Sequence, residues 1–149
     1  MRFFFYGTLM ADSDNPVAKF VHGKLRALGP AQVRGVLHGV PDPDGWYPAL
    51  LPGEGIAKGL LYEAGDSFTA ADLARLDAYE DYDPARPGTS LYIREPLVVT
   101  GPDGADGLAE AYRFAQPLPA GSRPIVHGDF RRWLAEQDVR PFAGGRPDS

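Results

Sequence analysis

Apolar positions in this chain fall in short runs, and glycine or proline punctuates nearly every one of them. Residues 2–6, Arg-Phe-Phe-Phe-Tyr, end at Gly7, the pattern of a buried strand feeding directly into a turn. Asn15 followed by Pro16 reads as a helix N-cap and first helical residue, with Val17, Phe20, Val21 and Leu28 at helical spacing and Gly29-Pro30 predicting the end. Two strands are predicted over 33–40 and 58–63, separated by a Pro/Gly-rich segment that holds Trp46-Tyr47-Pro48-Ala49-Leu50. Thr69-Ala70-Ala71-Asp72 is a capping-box variant that opens a helix running to about Ala78. Beyond an irregular stretch over 81–89, strands are predicted over 91–100 and 108–115, joined by the turn Gly101-Pro102-Asp103-Gly104. A last helix is expected from Asp129 to about Gln137, with Phe130, Trp133 and Leu134 on one face.

Composition narrows the class. The 149 residues include 18 Gly and 15 Pro, more than a fifth of the chain, against an average of roughly 12%, which excludes a helical bundle. With 44% hydrophobic and 23% charged residues the chain is globular, and a single domain is expected over 1–143 with a flexible tail over 144–149. A net charge of −5 without any basic run excludes affinity for phosphate backbones, so no nucleic acid is expected as a partner. No apolar stretch approaches about 20 residues, and the aromatic run over 3–6 is too short for a signal segment. A soluble cytoplasmic protein without a membrane partner is expected; oligomeric state is left open.

Candidate chemistry is limited. The absence of Cys removes disulfides, thiolate catalysis and Cys-based metal sites. His22, His38 and His127 lack ligand spacing, so neither a metal nor a cofactor is expected. No serine elbow and no phosphate-cradling glycine motif is present. Carboxylates, tyrosines and backbone amides remain. With Leu73 at zero and about 100° per residue, Leu76 falls near −60°, Asp77 near +40° and Glu80 near −20°. Glu80 is thus centred on an apolar stripe, where desolvation pushes a carboxyl toward the range useful for proton transfer. The plainer alternative ends the helix earlier and turns Glu80 to solvent. Asp77 is expected to hydrogen-bond at the helix end.

Tyr6-Gly7-Thr8-Leu9 after the first strand, Tyr47-Pro48-Ala49-Leu50 in the next loop region, Leu76-Asp77-X-X-Glu80 at a helix end, Tyr92-Ile93-Arg94 and Gly128-Asp129-Phe130 form an ordered set. Together they resemble the γ-glutamylcyclotransferase-like (AIG2-like) superfamily. The resemblance implies an α+β fold, a small mixed β-barrel with flanking helices, and a cavity where the Tyr-Gly-Thr-Leu loop meets the glutamate. It implies that Tyr6, Gly7, Thr8 and Leu9 bind a small γ-glutamyl substrate and that Glu80 is the general acid/base. The implied reaction releases 5-oxoproline when the substrate's α-amine displaces the amine on its γ-carbonyl, a lyase-like acyl transfer. Many relatives carry Gly after the glutamate, where this chain has Asp81.

Tyr92, Arg94 and Tyr112 either line the cavity or pack and pair structurally; chemistry alone suggests Arg94 for the substrate α-carboxylate. Tyr6 either hydrogen-bonds or packs. The competing functions are a catalytically silent metabolite-binding module of the same fold and an interaction protein.

Overall fold

The computed structural model describes residues 1–7 and 16–142. Its elements are β1 (Arg2–Phe5), α1 (Pro16–His22), β2 (Leu25–Asp42), β3 (Gly45–Ala64), α2 (Ala70–Tyr79), a 3₁₀ turn (Pro87–Thr89), β4 (Tyr92–Thr100), β5 (Asp106–Phe114), β6 (Arg123–Pro124) and α3 (Phe130–Gln137). The sheet runs β3-β1-β5-β4-β2, and β2 pairs back onto β3, so five strands close a barrel. β1 lies parallel to β5, whereas its pairing with β3 and those of β4 with β5 and β2 are antiparallel. The barrel is therefore mixed. β6 extends β2 at His38 and Gly39, and no helix among the described residues is long and apolar enough to cross a membrane.

Both faces of β1 are covered, which accounts for its unbroken aromatic run. Phe3 and Phe5 pack with Val21, Leu76 and Tyr79 of α1 and α2. Phe4 and Tyr6 point the other way, into a cluster with Leu61, Val99, Ala111 and the α3 residues Phe130 and Trp133. Burying each of the three phenylalanines stabilises the fold by about 1.5–3 kcal/mol.

The long hairpin departs from the sequence expectations in two places. Helix α1 stops at His22 and does not reach Gly29-Pro30; residues 25–30 are strand, with Leu25 opposite Ala64 and Pro30 opposite Leu60. Partners some thirty residues away outweigh the local helical spacing of Leu28. The segment expected as a loop is mostly strand as well. Trp46 to Leu51 pair with residues 36–41, and only Pro52-Gly53-Glu54-Gly55 bulge out opposite Gly35. This irregularity and a second near Gly29 bend the strands around the barrel.

The other elements follow the expected pattern closely. Thr69 caps α2 through a complete capping box with Asp72. Asp129 caps α3 by accepting from the Arg132 amide, and Gly128 before it sits at φ 75, where an added Cβ would fall 1.8 Å from the Ile56 carbonyl oxygen.

Candidate active site

A narrow cleft opens where the end of β1, the first part of β3, the C-terminus of α2 and the β4–β5 pair meet. Its described walls are Phe4, Phe5, Tyr6 and Gly7, then Tyr47 and Pro48, Tyr79 and Glu80, Tyr92 and Tyr112, and Phe142. The bulge at 52–55 makes this meeting possible, because residues 60–63 pair with β1 while Pro48 packs on Gly7. A Cβ at Gly7 would lie 2.2 Å from Pro48 Cγ, so only glycine lets the two segments approach this closely. Phe142 arrives by a separate route: its amide donates to the Trp46 carbonyl, and the Trp46 amide donates to Arg140, so the segment after α3 lies along β3.

Glu80 is half-buried at the C-cap of α2, with its amide bonded to the Leu76 carbonyl. The next two amides complete a Schellman ending: Asp81 donates to Ala78 at 3.1 Å and Tyr82 to Asp77 at 2.8 Å. Such an ending places residue 81 in the left-handed region, and Asp81 has φ 54. Glycine adopts that conformation without steric cost and aspartate tolerates it, which gives a physical reason why Asp can stand here. Asp81 itself lines a different groove, with Tyr82, Asp83 and Pro84, and is not part of the Glu80 cleft.

A chain of polar contacts joins tyrosines of the cleft wall to charged residues behind it. The Tyr112 hydroxyl donates to Asp77 Oδ1 at 2.7 Å, and Arg94 Nε donates to the same oxygen at 2.9 Å. Arg94 Nη1 reaches Glu110 Oε1 on its other side. Tyr6 donates its hydroxyl to the Tyr112 carbonyl, and Tyr92 donates to the Pro48 carbonyl at 2.5 Å. Burial, reinforced by the charge of Glu80, pushes the Tyr6 phenol well above its ordinary range. Burial and then Asp77 do the same to Tyr112. Burial works against the charge of Arg94, but Asp77 and Glu110 outweigh it and hold the guanidinium protonated.

The structure brings together Tyr6, Gly7, Glu80 and Tyr92 among the residues singled out from sequence. Thr8 and Leu9 lie outside the described residues. Arg94 does not line the cleft, and its guanidinium is held between Asp77 and Glu110. In the structure the guanidinium pairs with two carboxylates of the protein, the structural one of the two roles expected for Arg94. Asp77 carries more than a helix-end bond, since it is 5% exposed and joins β4, β5 and α2. Its place beside Glu80 on the helical wheel was the available signal. Nothing local marks Phe142, because its position depends on pairing with Trp46 almost a hundred residues earlier.

Chemically, the cleft sets one carboxylate against aromatic walls and the backbone at the end of β1. Among its described residues Glu80 is the one formally charged side chain. A carboxylate in such a setting can exchange a proton with a nitrogen brought within hydrogen-bond reach.

The sequence profile of the family described as gamma-glutamyl cyclotransferase, AIG2-like, matches residues 3–132. The chain belongs to this family. Solved structures agree with the gamma-glutamyl cyclotransferase, AIG2-like assignment in fold. An AIG2-like protein from Mus musculus is 25% identical over 79% of each chain, with a TM-score of 0.59. An uncharacterised protein, PH0828 from Pyrococcus horikoshii, is 20% identical over 93% of this chain and 96% of its own, with a TM-score of 0.61. A structure of a gamma-glutamyl cyclotransferase is 12% identical over 95% of this chain and 88% of its own, with a TM-score of 0.58. No curated protein sequence matches the chain. The mixed five-stranded barrel, with three α-helices among the described residues, is the α+β fold of this gamma-glutamyl cyclotransferase, AIG2-like group.

Proposed function

We propose that this protein cyclises a γ-glutamyl amine or peptide, releasing 5-oxoproline and the free amine. The observation that carries this reading is the position of Glu80, fixed by the Schellman ending of α2 in a mostly aromatic cleft beside Gly7. Family membership supports the reaction class.

In this reading Glu80 takes a proton from the substrate's α-ammonium. The freed amine attacks the γ-carbonyl carbon of the same molecule, a C–N bond closes the five-membered ring, and a tetrahedral oxyanion forms. Backbone amides of the segment from Tyr6 to Leu9 stabilise that oxyanion. The bond to the leaving amine then breaks as Glu80 returns the proton to its nitrogen, and the ring nitrogen gives up its second proton, which the released amine takes up as its ammonium, so protons and electrons balance without a cofactor. Nucleophile and electrophile share one molecule, and effective molarities of roughly 10⁵–10⁸ M for such closures explain why no protein nucleophile is required. Tyr92 is assigned to the substrate pocket.

Incubation with a panel of γ-glutamyl amines, γ-glutamyl peptides and γ-glutamyl-ε-lysine tests the reading through release of 5-oxoproline. Turnover of at least one member is expected. Ligand binding across the panel without any 5-oxoproline would instead favour a non-catalytic binding module of the same fold.

A further inference from the structure

Three tyrosines of the cleft, Tyr6, Tyr92 and Tyr112, give their hydroxyl protons to groups that can only accept. Tyr6 donates to the Tyr112 carbonyl, Tyr92 to the Pro48 carbonyl and Tyr112 to the Asp77 carboxylate. A phenol whose proton is committed offers its remaining lone pairs as acceptors only. At these three positions the walls therefore offer oxygen acceptors beside the Glu80 carboxylate, and the described lining includes no Lys, Arg or His side chain.

We infer that Tyr112 is a specificity-determining residue that accepts a hydrogen bond from the substrate's α-ammonium beside Glu80, with Asp77 and Arg94 as positioning residues that fix the direction of its hydroxyl. Resting on the proposed γ-glutamyl reading, this names the group that the cleft recognises. Arg94, itself held by Glu110, keeps Asp77 turned toward Tyr112. Tyr112 is held at its other end too, because its carbonyl receives the Tyr6 hydroxyl. Asp77 lies one helical turn before Glu80 on α2, so base and acceptor are set by the same helix end.

The test measures affinity by calorimetry for two probes. One is a non-cyclising analogue of a γ-glutamyl amine, its amide replaced by an ether; the other is the same molecule without the α-amino group. The wild type should prefer the ammonium probe by about tenfold or more, and Tyr112→Phe should reduce that ratio by about tenfold, the loss of one charge-assisted bond. Asp77→Ala should reduce the ratio similarly and Asp77→Asn should restore most of it, because the amide oxygen still accepts from Tyr112. A purely structural role would lower Tm without moving the ratio. A wild-type ratio near one, or an unchanged ratio in Tyr112→Phe or Asp77→Ala, overturns the inference. Because the readout does not use turnover, full discrimination without 5-oxoproline release would refute the proposed reaction alone. Turnover with an unchanged ratio in Tyr112→Phe would refute this inference alone.

Discussion

At the residue scale, the cleft is governed by side chains whose protonation is settled by their surroundings. Tyr6 and Tyr112 are buried among acceptors and near carboxylates, which disfavours the phenolate. Their folded pKa lies above the ordinary value of 10.0, so the stability tied to their neutral form is complete below that value and is lost as pH rises past it. Phenolate absorbance followed alongside circular dichroism should show these two of the seven tyrosines ionising only as the fold opens. Ionisation of all seven within a folded protein would contradict that expectation. The helical wheel already placed Glu80 and Asp77 toward the apolar side of one helix. It could not show that Arg94 sits behind Asp77, since that contact joins residues on different elements.

At the element scale, α2 carries its information locally and was legible for that reason. Thr69 and Asp72 cap each other, and Lys24 adds an ion pair to Asp72 at 2.9 Å. Thr69→Ala should cost about 1 kcal/mol in denaturant unfolding. The other end of α2 makes a sharper test, because Asp81 holds a left-handed conformation in the turn that sets Glu80. Asp81→Val should destabilise the protein by about 1–2 kcal/mol, whereas Asp81→Gly should cost little, both read from chemical unfolding. Equal effects of the two substitutions would mean that the turn is held by something other than backbone conformation. The ends of α1, β2 and β3 were not legible in the same way. Leu25 to Pro30 carry a helix-compatible spacing, yet the strand formed by 60–64 supplies their hydrogen bonds. No short window contains both partners.

At the scale of the whole molecule, the barrel is what brings distant segments to one place. β1 is flanked by β3 and β5, and its alternating aromatics separate two apolar clusters that receive α1 and α2 on one side and α3 on the other. Composition alone excluded a bundle, and the ordered motifs pointed to the family and hence to the barrel. Closure itself depends on β2 pairing with both β3 and β4, and on irregularities whose positions no periodicity encodes. The same long-range pairing carries Phe142 to the cleft that Tyr6 and Glu80 reach from the other end of the sequence. The central claim, that this cleft cyclises γ-glutamyl compounds through Glu80, is tested most directly by measuring 5-oxoproline and free amine together for the wild type and Glu80→Gln. The expected result is equimolar release by the wild type and a loss of roughly 10²–10⁴-fold in the variant, with an unchanged unfolding midpoint. A folded Glu80→Gln protein that turns over at the wild-type rate would contradict it.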